Sequence, residues 1–246
     1  MTLQTELQDR LTEIRASDEE LITQQLQSIE EHLSESSEFT IANIWITTPV
    51  ELQQTIQFDT IVLLHSNHSA QEMKEEFYLE LREMAVSDLI TRGIRVQGDG
   101  IITDVIPTKY ARQGTITQQD RNTPHLADIL GGGELLQQAS ALLQSWQVTN
   151  KLDIETQALL PFEIEITLNH LIDTYQPQDL TELLEFFFDF VRQDKFSGQM
   201  SVHDRDGNII LYHDFLIPDK QIFLKEVFET QQAIKINQSL SAILDR

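Results

Sequence analysis

Val202-His203-Asp204-Arg205-Asp206-Gly207-Asn208-Ile209-Ile210 sets Asp-Gly-Asn between two β-prone runs. A tight hairpin is the expected outcome, because Gly and Asn tolerate the positive φ that such a turn needs. An upstream segment follows the same plan: Ile94-Arg95-Val96, then Gln97-Gly98-Asp99-Gly100, then Ile101-Ile102-Thr103-Asp104-Val105. Arg92-Gly93 before that hairpin lines up with Ser197-Gly198 before the segment from Gln199 to Tyr212. Around both hairpins, the order strand, strand, helix, hairpin, helix runs once from Phe39 to Trp146 and again from Leu152 to Leu244. The expected fold is therefore α+β, with two similar strand-strand-helix-hairpin-helix halves, as an internal duplication would give, behind an N-terminal helical segment. The corresponding divisions are 1–36, 37–148 and 149–246. Two such halves would pack about a pseudo-twofold axis.

In the first segment, Leu3, Leu7, Leu11 and Ile14 fall on one helical face. Ser17-Asp18-Glu19-Glu20 reads as a capping box that opens a second helix, whose apolar stripe is Leu21, Ile22, Leu26, Ile29 and Leu33. Strands are expected over Phe39 to Thr47 and Thr55 to Leu64, both rich in β-branched and aromatic residues. The second ends in a continuous apolar run, which suggests burial on both faces. Met73, Phe77, Leu81, Met84 and Leu89 lie near helical spacing and predict a helix over Ser69 to Arg92, with Gly93 as its C-cap. Pro107 to Pro124 has little pattern and reads as a long loop. Gly131-Gly132-Gly133 precedes a helix over Glu134 to Trp146; with no Lys-Ser or Lys-Thr after it, it is not a phosphate loop.

Two further strands are expected over Leu152 to Leu160 and Phe162 to Leu168, separated by Pro161. In the second, Phe162, Ile164, Ile166 and Leu168 alternate with Glu163, Glu165 and Thr167, which predicts one wet face. A helix then opens near Pro177 and buries Leu180, Leu183, Leu184, Phe187, Phe188 and Val191. Phe186 and Phe190 widen its stripe beyond one face.

Charge is the most unusual total: 17 Lys and Arg stand against 40 Asp and Glu, a net of −23. A surface of that sign argues against direct binding to nucleic-acid backbone or to anionic membrane, both of which need clustered cations. It favours basic partners. The absence of cysteine excludes disulfides, thiolate metal sites and thiol nucleophiles, and a reducing cytoplasm is the simplest setting. Neither a signal peptide nor a membrane-spanning run is recognisable.

Few residue groups suggest chemistry. His65 with His68, and His203 with His213, are close in sequence but lack metal-ligand spacing on a helix. Asp204-Arg205-Asp206-Gly207 lacks the first and twelfth carboxylates of a calcium loop. Glu163 and Glu165 share a face of the expected strand, where they read as solvated surface. Neither metal nor cofactor is expected.

Phe196 to Leu244, with its turn at Asp206-Gly207-Asn208, the run Ile209-Ile210-Leu211-Tyr212, Phe215-Leu216-Ile217 and a closing amphipathic helix, resembles the type III secretion chaperone (CesT-like) and YbjN-like proteins. The preceding Phe-rich helix fits their order. The resemblance implies a non-enzymatic protein-binding module, a chaperone-like adaptor that forms oligomers and takes a protein partner. Phe186, Phe187, Phe190, Phe223 and Phe228 are the partner-binding candidates. The alternatives are a structural or assembly subunit of a larger particle and an acidic DNA mimic.

Overall fold

The computed structural model describes residues 11, 18–34, 39–52, 54–65, 68–84, 86–89, 93–109, 133–150, 152, 159, 161–197, 201–203, 209–211 and 217–236. The chain divides into two compact units, Ala16–Thr123 and, with Met1–Arg15, Pro124–Arg246.

The first unit is built on a six-stranded sheet. Its helix α1 spans Glu19–Ser34 and its strands begin with β1 (Thr40–Ile46), β2 (Val50–Leu52) and β3 (Thr55–His65). Helix α2 (Ala70–Leu81) then leads to β4 (Val86–Leu89), β5 (Ile94–Gly98) and β6 (Ile101–Lys109). The strand order is β1-β3-β6-β5-β4, with β2 also paired to β3. Every pairing is antiparallel except the central one, β3 with β6, which is parallel. A parallel pair needs a long crossover, and here α2, β4 and β5 together form it.

Local chemistry accounts for most of these boundaries. Asp18 caps α1, its carboxylate accepting from the Leu21 amide at 2.9 Å. Ser17, expected in that role, lies outside the described residues. Ser69 and Glu72 form a reciprocal capping box on α2, with the Ser69 amide donating to Glu72 Oε2 at 2.7 Å. Ile22, Ile29 and Leu33 of α1 and Met73, Phe77 and Leu81 of α2 are buried against one face of the sheet, together with Phe58, Val62, Leu64, Val96 and Val105. Phe39 and Phe77 meet with ring centroids 5.0 Å apart. Between the strands on that face, the buried hydroxyls of Thr60 and Thr103 hydrogen-bond to each other at 2.7 Å, so neither is left unsatisfied.

The helix expected over Ser69 to Arg92 stops at Leu81 instead. Leu89, counted in its apolar stripe, is 51% exposed and belongs to β4, which pairs with β5 from Val86 opposite Gln97 to Leu89 opposite Ile94. Pairing to a neighbouring strand outweighed a weak helical period. Gly93 is accordingly no helix cap. A Cβ placed there would lie 2.2 Å from the Val105 carbonyl oxygen, so the bare backbone is what lets β5 begin against β6. The hairpin between β5 and β6 is present as expected, with Gly100 at φ +77° in its turn.

The second unit is mainly helical: α3 (Gly133–Thr149), α4 (Pro161–Tyr175), α5 (Leu180–Ser197) and α6 (Ile217–Lys235), with a two-stranded hairpin of β7 (Ser201–His203) and β8 (Ile209–Leu211). Trp146 sits at its core, meeting Phe188 at 5.0 Å and Phe223 at 6.0 Å edge-on. Its indole N–H donates to Thr230 Oγ1 at 2.9 Å. Gln147 uses its side-chain amide as a backbone would, donating to the Leu159 carbonyl at 2.9 Å and accepting from the Leu159 amide at 2.8 Å.

Phe162 to Leu168 is helix, not strand. Pro161 takes the first position of α4, where its missing N–H costs nothing. The helix is buried almost all round: Glu163, Ile164, Glu165, Ile166, Thr167 and Leu168 are each at most 2% exposed. Alternation of apolar and polar residues therefore did not mark a wet face. Ser140 Oγ donates to Glu165 at 3.0 Å, and Thr167 Oγ1 donates to the Glu163 carbonyl at 2.6 Å. With α4 in place of the expected strand, the element order of the first unit does not recur in the second. The architecture is α+β, and the described residues do not show the repeat. The loop expected over Pro107 to Pro124 contributes its first residues to β6; residues 110–132 lie outside the described residues, as do the helix over Leu3 to Ile14 apart from Leu11, most of the strand expected from Leu152 to Leu160, and the turn at Asp206-Gly207-Asn208.

Gly93→Ala is expected to lower stability by about 3 kcal/mol, the upper end of overpacking costs, read as a fall in the urea midpoint. Thr230→Val strands the buried Trp146 N–H and is expected to cost about 1–3 kcal/mol in the same assay.

Candidate functional site

Strand geometry places a line of polar groups across the first unit's sheet. Residues directly opposite one another on paired strands share a face. Asp59 on β3 stands opposite Asp104 on β6, Asp104 opposite Arg95 on β5, and Arg95 opposite Asp88 on β4. At the other end, just past β1, Thr47 closes the row. Its hydroxyl accepts from the Asp59 amide at 2.8 Å, and its own amide donates to the Asp59 carbonyl at 3.0 Å. Thr47, Asp59, Asp104, Arg95 and Asp88 thus form one transverse row, on the face opposite α1 and α2.

Burial sets the electrostatics of the row. Asp59 is 1% exposed and Asp104 5%, while Asp88 is at the exposed end. Two like charges side by side at low accessibility repel strongly, and burial penalises each of them. Arg95 answers this with both arms of its guanidinium: Nε donates to Asp104 Oδ1 at 2.7 Å and Nη2 to Oδ2 at 2.8 Å. Its pKa is raised above the ordinary value. The Asp104 hydrogen bonds are the main cause, acting against desolvation, and the charges of Asp104, Asp59 and Asp88 add to them. Arginine is already protonated throughout the physiological range, so the row carries a permanent internal cation.

Such a row is suited to phosphate chemistry through a hard cation. Mg²⁺ is held by one or two carboxylates, with substrate phosphates and water completing its shell, and Asp59 and Asp104 supply that number. Arg95 engages each Asp104 oxygen once, whereas a carboxylate offers about four acceptor positions, so capacity for a metal remains. The set does not extend further. The same-face neighbours of Asp59 on β3 are Gln57 and Ile61, and those of Asp104 on β6 are Ile102 and Ile106. Among the described residues no group of three or more His, Asp or Glu is placed to hold a metal ion. Among the described residues the same-face donors are thus two buried carboxylates, the number that a Mg²⁺ ion takes from a protein.

None of these residues was singled out by sequence pattern. The available signal was a charge inside an otherwise apolar strand: Phe58-Asp59-Thr60-Ile61-Val62 and Thr103-Asp104-Val105-Ile106. The groups that were singled out lie elsewhere. Glu163 and Glu165 are buried on α4 and, two apart on a helix, no longer share a face. His65 is exposed at the end of β3, and His68 lies 2.7 Å from Glu76. Of the phenylalanine candidates, Phe187 and Phe223 are each 1% exposed, Phe186 and Phe190 are half-buried against Tyr175 and His170, and Phe228 is 49% exposed. His213 lies outside the described residues.

No sequence-family profile and no curated protein matches the chain. Solved structures do. The CD-NTase CdnG of Bradyrhizobium diazoefficiens in complex with GTP is similar over 91% of this chain and 89% of its own, at 8% identity and a TM-score of 0.61. A mutant Cid1 poly(U) polymerase bound to MgATP is similar over 98% of both chains, at 13% identity and a TM-score of 0.56. GLD-2 in complex with RNP-8 is similar over 99% of this chain and 97% of its own, at 11% identity and a TM-score of 0.60. The fold is that of the nucleotidyltransferases.

That likeness overturns the resemblance to CesT-like and YbjN-like proteins. The hairpin and closing helix that carried the resemblance are a small part of a chain matched nearly end to end by nucleotidyltransferase-fold structures. The non-enzymatic, chaperone-like adaptor falls with it, as do the alternatives of an assembly subunit and a DNA mimic, since the structures that share this fold include ones with GTP and with MgATP bound. Among the described residues no helix is long and apolar enough to cross a membrane.

Arg95→Met removes the partner of a buried carboxylate, and a loss of about 3–5 kcal/mol in unfolding free energy is expected. Chemical denaturation of the metal-free protein measures it.

Proposed function

We propose that the protein is an enzyme of nucleotide transfer, moving a nucleotidyl group from a nucleoside triphosphate to an acceptor hydroxyl, with Asp59 and Asp104 at the reacting phosphate. The observation that supports this reading is the pair of buried carboxylates in register on the two central strands. It occurs in a chain whose structural neighbours include proteins bound to GTP and to MgATP. A buried carboxylate pair is costly to fold around, and function is the usual reason for keeping one.

In the reaction the acceptor oxygen bonds to the α-phosphorus, the bond from that phosphorus to the pyrophosphate oxygen breaks so that pyrophosphate leaves, and the hydroxyl proton passes to solvent. When bound, a divalent cation held by Asp59 and Asp104 supplies neutralisation of the phosphate charge. The chain's own contribution is position. The two hydrogen bonds to Thr47 hold the backbone of Asp59. The guanidinium fork fixes the carboxylate plane of Asp104. Parallel pairing keeps the two residues opposite each other, so the carboxylates are preorganised before substrate arrives. A net charge of −23 is compatible with this substrate. A nucleoside triphosphate is one small anion that arrives with its own cation, unlike a polymer backbone that needs a basic surface along its length. Protein partners belong to the same reading, since one neighbour is seen in complex with RNP-8.

The test is incubation of the full chain with each α-labelled nucleoside triphosphate in Mg²⁺ or Mn²⁺, following label transfer and pyrophosphate release. Asp59→Asn and Asp104→Asn are each expected to lower the rate by at least about 100-fold, the scale of removing one group that stabilises transition-state charge, with the circular dichroism unchanged. Undiminished transfer in both variants, or no transfer from any triphosphate by the wild type, overturns the reading.

A further inference from the structure

We propose that Arg95 stands in for a second metal ion, so that the carboxylate row works with one divalent cation. The inference rests on the nucleotide-transfer reading and concerns how that site is charged. Two-metal phosphoryl-transfer sites set their ions about 3.5–4 Å apart and need carboxylates to bridge and flank them. Here the flanking positions on the same face are Gln57, Ile61, Ile102, Ile106 and, on β5, Gln97, none of which is a carboxylate. What occupies the flank of Asp104 is a guanidinium bound through both carboxylate oxygens.

Charge balance agrees with the geometry. The row holds three carboxylates, Asp59, Asp104 and Asp88, and one guanidinium. Its residual charge is negative, and one divalent cation neutralises it before the nucleotide arrives. A second divalent cation would have to share Asp104 with an arginine that cannot lose its proton.

Arg95 is also held where it is. Gly93 lies so close to the Val105 carbonyl that no side chain fits there, and the β5–β6 pairing that begins beside it sets Arg95 opposite Asp104. Its side chain is 17% exposed, leaving little room to swing away into solvent. Arg95 acts through Asp104 and is a positioning residue for the cation. Lysine could supply the charge, but not the two-armed contact that sets the carboxylate plane.

The experiment counts ions. Full-length protein with a non-hydrolysable triphosphate analogue is titrated with Mn²⁺, and free ion is followed by electron paramagnetic resonance. One ion per chain is expected for the wild type. Arg95→Met removes the cation that competes for Asp104, a loss of repulsion expected to outweigh the lost positioning, so that Mn²⁺ binds at least about tenfold more tightly, a change of the size but not the sign usual for outer-shell partners, and the variant gains more in melting temperature from added Mg²⁺ than the wild type does. Arg95→Lys keeps the charge and is expected to stay within a few-fold of wild-type affinity. Two ions per wild-type chain overturn the proposal, even if Arg95→Met does not fold. Equal or weaker Mn²⁺ binding in a folded Arg95→Met also overturns it, because an arginine that only braces the sheet would leave the metal no better held. Two ions together with active nucleotide transfer sink the Arg95 assignment alone, whereas no bound ion and no transfer sink the nucleotide-transfer reading as well.

Discussion

The guanidinium fork of Arg95 on Asp104 is the interaction on which the first unit depends. Parallel pairing of β3 with β6 puts Asp59 and Asp104 side by side at the centre of the sheet, both nearly excluded from water. Without a cation beside them, that arrangement is a reason for the strands not to pair. Arg95 sits opposite Asp104 because β5 and β6 are a hairpin, and the hairpin keeps its register because Gly100 turns it and Gly93 lets it close. The polar row and the apolar face are thus two sides of one register. A one-residue slip would carry the aspartates into the cluster of Val62, Val96, Val105 and Phe77, and the valines onto the opposite face.

Several elements of that unit are readable from residues alone. The stripe of Ile22, Ile29 and Leu33, the Ser69 and Glu72 capping box, and the Gly98-Asp99-Gly100 hairpin are local signals, each complete within about a dozen residues. Each appears in the structure close to where it was expected. Local signals compete elsewhere: Met84 and Leu89 extend a helical period, yet β5 offers Val86 to Leu89 a strand partner, and the strand wins. Partner strands outside the window decide such cases, since β-propensity is largely a measure of fit to neighbours.

The site was illegible for a related reason. Asp59 and Asp104 are each a single acid in a chain with 40, and neither has a chemical neighbour in sequence that marks it. Only the parallel pairing brings them together. The partner that makes them a site, Arg95, is itself placed by another strand pairing. Motif searches find chemistry concentrated in one segment, whereas here three strands contribute one residue each. A better sequence clue was the position of the charges, since Asp inside Phe58 to Val62 or inside Thr103 to Ile106 interrupts runs that otherwise read as buried strand.

The second unit shows why pattern alone misleads in the other direction. Glu163, Glu165 and Thr167 alternate with apolar residues as a half-wet strand does, and all three are buried in helix α4. A stretch of helix buried on every side, as α4 is from Glu163 to Asn169, has no periodicity to show, because its polar residues answer to neighbouring side chains rather than to water. Ser140 donates to Glu165, and Gln144 donates to Ser140 from the next turn of α3, so the polarity of α4 is matched by that of α3. The same holds for Trp146 with Thr230 and for Gln147 with Leu159, where polar groups on separate elements satisfy one another inside the core. Such matched pairs leave no mark on either segment taken singly. A short hairpin followed by an amphipathic helix does, and that is why the resemblance it suggested could be plausible over its own residues and still be wrong about the fold, which is decided by pairings between distant segments.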